Sequence, residues 1–115
     1  MNKSLEQREI NGEELKVLLE LRADNEARFV LIDVREEYEY NISCIKGVDY
    51  LIPLSQFHDK INKLEKYKDT PIIMQCKLGG RSQQAQRQLD EMGFKKVINL
   101  AGGIMDYPGE KKYGN

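Results

Sequence analysis

The chain has 115 residues, with 18 basic and 19 acidic side chains giving a net charge of -1, and is 40% apolar. That length suits one compact domain able to bury roughly two-thirds of the surface its unfolded form exposes, and it leaves no room for a second. Charge this balanced and dispersed makes no concentrated positive field, so nucleic acid is not expected as a partner.

Apolar runs such as Phe29 to Ile32 fall far short of the ~20 residues of a membrane span, and the N-terminal stretch is too charged for a signal peptide. The expectation is a cytoplasmic protein with no membrane partner. One histidine and two cysteines cannot supply the usual Cys/His ligand set of a zinc site. No metal or other cofactor is expected, and a cysteine-based function would be thiol chemistry.

Arg8 to Ile10 is short enough for an edge strand. Asn11 with Glu14 after it predicts a helix N-cap, and Leu15, Leu18 and Leu19 at helical spacing carry that helix to about Arg22. The run Phe29-Val30-Leu31-Ile32-Asp33-Val34 suits a strand covered on both faces, at the centre of a parallel sheet. Glu36 to Asn41 predicts a helical turn, and Asp49 to Ile52, ending at Pro53, a short strand.

Ser55 is expected to cap one amphipathic helix with Phe57, Ile61 and Leu64 on its inner face. Pro71 opens a second buried strand, Ile72 to Cys76, followed by the loop Lys77-Leu78-Gly79-Gly80. Ser82, Ala85, Leu89 and Met92 then form a helical stripe closed by Gly93. Val97 to Leu100 predicts the final strand, with Gly102-Gly103 turning after it. Strands and helices alternating at these distances predict an α/β fold, a parallel sheet of about five strands with helices on both faces. The folded core is expected from about residue 10 to 107, and the polar tail 108–115 is expected to fray.

Ligands of open parallel sheets lie beyond the carboxyl ends of the strands, and Cys76 stands at such an end. The loop N–H groups can converge on its sulfur, and the positive end of the next helix favours a thiolate. Gly79 and Gly80 permit the backbone such a cradle needs, while Lys77 and Arg81 add positive charge to attract an anion. The bland alternative makes Cys76 a small buried hydrophobe beside an ordinary glycine turn. Strand, cysteine, paired glycines, arginine and helix onset coincide in Cys76 to Ser82, and that coincidence favours chemistry.

From about Ile10 to Tyr107 the chain resembles a single-domain rhodanese, a sulfurtransferase. The resemblance is carried by Asp33-Val34-Arg35 with Glu39 and Tyr40, by Ile45 and Gly47, by the Cys76 to Ser82 loop, and by Gly93-Phe94, Val97, Leu100 and Gly102-Gly103-Ile104. It implies a rhodanese-like α/β fold and transfer of a sulfane sulfur through a Cys76 persulfide. The loop Lys77, Leu78, Gly79, Gly80, Arg81 and Ser82 would hold that persulfide, and Asp33 and Arg35 would support the site structurally. The implied partners are a small anionic donor such as thiosulfate, a thiol or cyanide acceptor, and possible sulfur-donor or sulfur-acceptor proteins.

Alternatives from other classes are a persulfide carrier, a non-catalytic interaction module and a cysteine-dependent phosphatase or arsenate reductase. Phosphatase loops of this kind hold one more residue between cysteine and arginine than Lys77 to Gly80 provides. They also need a carboxylic acid for the leaving group, which the sequence does not identify. Interaction modules typically lack the cysteine and glycines that this chain has.

Cys44 and Lys46 depart from the family pattern, which often has histidine and proline there. Cys44 is read either as a buried structural thiol or as a resolving thiol for oxidised or persulfidated Cys76. His58 is read as solvated, and Tyr107, where the family often has tryptophan, as a packed aromatic.

Overall fold

A reciprocal capping pair opens the architecture. In the computed structural model, which describes residues 3–114 and leaves Met1, Asn2 and Asn115 outside, the Asn11 side chain accepts the Glu14 N–H while Glu14 accepts the Asn11 N–H. This reciprocal cap starts helix α1 (Gly12–Ala23) directly after strand β1 (Glu9–Ile10). There follow β2 (Val30–Asp33), α2 (Glu37–Ile42), β3 (Ser43–Ile45), β4 (Tyr50–Leu51), α3 (Phe57–Lys60), β5 (Ile72–Gln75), α4 (Gly80–Glu91), β6 (Val97–Leu100) and β7 (Lys111–Tyr113).

Five strands form a parallel sheet in the order β1-β6-β5-β2-β4. Alternate residues of its central strands feed two apolar layers. Val30, Ile32, Ile72, Met74 and Val97 pack with Phe57, Ile61, Leu64, Ala85 and Leu89 on one face. Leu31, Ile73 and Ile98 pack with Leu15 and Leu18 of α1, and with Ile45, Ile104 and Tyr107, on the other. Both outer strands are only two residues long, which leaves little open edge for another chain to pair with.

Four expectations are corrected. The middle of the sheet is β5, the strand that leads to Cys76, and β2 lies one place outward between β5 and β4. The single helix expected after Ser55 is instead a 3-10 turn (Leu54–Gln56), one turn of α3, and a 3-10 segment (Ile61–Tyr67). Ser55 caps nothing there, because its hydroxyl donates to the Glu36 carboxylate at 2.9 Å. Met92 leaves the apolar stripe and is 40% exposed, since α4 has ended at Glu91 and Gly93 already turns the chain away.

The tail supplies the fourth correction. Residues 111–113 do not fray but pair antiparallel with β3, Cys44 opposite Lys112. The Lys46 N–H donating to the Glu110 carbonyl extends that ribbon.

Candidate functional site

Cys76 follows the last residue of β5, and the chain turns through Lys77, Leu78 and Gly79 into α4. Gly79 has φ +110°, a conformation that a Cβ resists, and its N–H donates to the Cys76 sulfur at 3.0 Å. The Ser82 hydroxyl lies 3.3 Å from the same atom, and α4 presents its N-terminal end to the loop. Burial of Cys76, only 1% exposed, would raise the thiol pKa. Hydrogen bonds from the Ser82 hydroxyl and from the N–H groups of Ser82, Gly79 and Leu78 outweigh that cost, and the pKa falls below the ordinary thiol value.

The turn after β6 backs the loop from behind. Ile104 N–H donates to the Cys76 carbonyl at 2.9 Å and Met105 N–H to the Lys77 carbonyl at 3.2 Å. Gly103, at φ +56°, lies so close that a Cβ there would meet both carbonyl oxygens at 2.4 Å. The Gln75 side-chain amide adds a further donor to the Cys76 carbonyl at 2.7 Å.

Arg81 lies in the first turn of α4 with its guanidinium already engaged. It makes a two-point contact with Glu39 of α2, at 2.6 and 2.9 Å. The hydrogen bond from Arg81 chiefly lowers the Glu39 pKa to about 2, against an opposing effect of burial. Lys77 and Leu78 are exposed on the rim, and Gly80 opens α4.

Asp33 and Arg35 form a buried ion pair at the end of β2, closed by Nη2 to Oδ2 at 2.8 Å and by Nε to both carboxylate oxygens at 3.1 Å. The same guanidinium donates to the Ser43 carbonyl at 2.7 Å, fixing β2 to the start of β3. Cys44 and Cys76 are both free thiols. Cys44 is buried in β3, and burial together with its hydrogen bond to Tyr40 raises the pKa of that phenol. His58 is exposed and Tyr107 buried.

Three contributors escaped the sequence reading. Asn99, 3% exposed on β6, donates to the Gly79 carbonyl at 3.2 Å and accepts from Ser82 at 2.5 Å. Glu39 was a family mark without a role, and Gly103 a mere turn residue. A signal for Asn99 was present: it is the one polar side chain in the apolar run Val97 to Leu100.

A wider cleft of about 420 Å³ lies elsewhere, lined by α1 residues including Lys16 and Arg22, and by Lys46, Tyr107 and Glu110. Cys76 does not line that cleft, and its sulfur faces the N–H groups of Leu78, Gly79 and Ser82. Among the described residues no helix is long and apolar enough to cross a membrane.

The parallel sheet and the helices around it have counterparts among known proteins. The chain belongs to the rhodanese-like domain family, which is matched over residues 14–110. It is 44% identical over 81 residues to Rhodanese-like/PpiC domain-containing protein 12, chloroplastic, of Arabidopsis thaliana, covering 67% of this chain and 26% of that protein. To the putative sulfur carrier protein YrkF of Bacillus subtilis (strain 168) it is 37% identical over 89 residues, 77% of this chain and 46% of the relative.

The chain thus spans less than half the length of these two relatives. The crystal structure of a rhodanese-like domain protein from Staphylococcus aureus shares the fold, with a TM-score of 0.79 over 95% of this chain and all of that one, at 24% identity.

Proposed function

We propose that this domain moves a sulfane sulfur through a persulfide on Cys76. The observation that carries the reading is the buried Cys76 sulfur, held at 3.0 Å by the Gly79 N–H with its pKa below the ordinary thiol value. In the first step the thiolate attacks the outer sulfur of a donor. With thiosulfate, an S–S bond forms to Cys76, the donor S–S bond breaks, and its electron pair leaves on sulfite. In the second step a nucleophile, cyanide or a thiol, takes the outer sulfur and the bonding pair returns to Cys76 as thiolate. Loop amides favour both sulfur anions by the same logic as an oxyanion hole.

The Arg81–Glu39 pair favours a second reading, a carrier loaded by a partner protein's persulfide. The guanidinium beside the loop is matched by a carboxylate and is not left over to grip a doubly charged anion. The name of the Bacillus relative, a putative sulfur carrier, points the same way. Phosphatase chemistry is disfavoured by the short loop, and Glu39, with a pKa of about 2, is ionised near neutrality and has no proton to give a leaving group.

The test is intact mass before and after thiosulfate and then after cyanide, with Cys76→Ser alongside. Gain of one sulfur that needs Cys76 and is removed by cyanide is the expected result. Loading only by a persulfide-bearing protein would favour the carrier; no loading from either source, or loading of Cys76→Ser, would overturn the scheme. The cytoplasm, which keeps thiols reduced, is the proposed setting.

A further inference from the structure

The Ser82 hydroxyl has one proton and three acceptors in reach: Asn99 Oδ1 at 2.5 Å, the Gly79 carbonyl at 3.2 Å and Cys76 Sγ at 3.3 Å. The Asn99 amide cannot be turned over to change this. Its Nδ2 lies 3.2 Å from the Gly79 carbonyl oxygen, which only accepts, so the NH2 group faces Gly79 and Oδ1 faces Ser82. Ser82 and Asn99 are 0% and 3% exposed, so bulk water does not relieve the competition.

A neutral sulfur, in a thiol or as the inner atom of a persulfide, is a weak acceptor. The hydroxyl proton then belongs to Asn99, and a Ser82 lone pair faces Sγ, ready to accept an S–H. A thiolate is a charged acceptor and draws the proton back. The two sulfur states therefore call for two orientations of one hydroxyl.

We propose that Asn99 is a positioning residue that competes with Cys76 for the Ser82 hydroxyl, holding it away from neutral sulfur and yielding it when the sulfur becomes a thiolate. The proposal rests on Cys76 as the reacting sulfur and adds what sets its readiness to ionise. No covalent bond changes within the pair. The S–H proton leaves to solvent and the hydroxyl only rotates. During sulfur delivery the rotation accompanies the return of charge to Sγ, so Asn99 tunes Cys76 both as nucleophile and as leaving group.

The test is the pH dependence of iodoacetamide alkylation of Cys76 in a Cys44→Ser background, which is readable whether or not sulfur is transferred. The charged groups of the surrounding elements, Arg81 with Glu39, Asp33 with Arg35, Lys77, and Asp106 behind the loop, are the same in every variant, and only Asn99→Asp adds a charge of its own, which is why its shift is read with and without Ser82. Asn99→Ala frees the hydroxyl for the thiolate, while the Gly79 carbonyl keeps the Gln83 N–H. Alkylation well below the midpoint should become roughly fivefold faster, and the midpoint should fall.

Asn99→Asp should do the opposite, because a carboxylate holds the hydroxyl more firmly. Adding Ser82→Ala should abolish the Asn99→Ala effect. Slower or unchanged alkylation in Asn99→Ala, or an equal gain without Ser82, overturns the proposal. If Asn99→Ala does not fold by circular dichroism, Asn99→Asp decides: its upward shift must shrink when Ser82→Ala is added. Failure of the unmodified chain to load from either thiosulfate or a persulfide-bearing protein would count against sulfur transfer and leave this result standing.

Discussion

Glu39 and Arg81 join α2 to the start of α4, and their ionisation gives the fold an acid limit. A carboxyl held at about 2 against its ordinary 4.5 contributes stability that is complete above the unfolded value and lost as pH falls through the folded one. With the Arg81 side chain 34% exposed, solvent screens the pair, and Glu39→Gln should cost about 1–2 kcal/mol at neutral pH. Urea unfolding should show that gap closing as pH falls towards about 2; an unchanged gap would place the effect elsewhere. Asp33→Ala strands a buried Arg35 charge and should cost about 3–5 kcal/mol in the same assay. Residues 76 to 82 were readable because one short segment holds strand end, thiol, glycines and helix onset. The Glu39 contact was not, since its partner lies 42 positions away, and spacing along the chain does not encode a bond between two helices.

At the scale of elements, the loop and the turn after β6 depend on each other's backbone. Gly103→Ala would force a methyl against the carbonyls of Cys76 and Lys77 and strain a positive φ, so a loss of about 3 kcal/mol or more is expected. Thermal unfolding checks this, and a melting temperature unchanged from the parent would mean that the two segments separate easily. The reading of 55–66 erred because Phe57, Ile61 and Leu64 can turn inward on either an α-helix or a mixture of α and 3-10 turns. Hydrophobic spacing reports the buried face more surely than the winding. β7 was invisible for a different cause. Lys111, Lys112 and Tyr113 bury almost nothing, and the ribbon is made by backbone groups that every sequence carries.

At the scale of the whole molecule, β7 pairs edge to edge with β3 and sets Lys112 opposite the buried Cys44. Truncation after Gly109 should uncover that thiol and speed its labelling at least about tenfold in a Cys76→Ser background. Unchanged labelling would show that β3 keeps its cover unaided. Fold class was legible from the alternation of elements, but strand order was not, because the crossovers that place β5 in the middle join segments whose local patterns are alike. That central place has a further consequence. The Cys76 sulfur, proposed to carry the reaction, directly follows the strand paired on both sides, whereas Leu78, Met105 and Tyr38 stand 67%, 59% and 69% exposed on the rim. Chemistry and acquaintance are therefore separable in this domain: the rim can be rewritten to meet a different molecule while the sulfur keeps the same temperament.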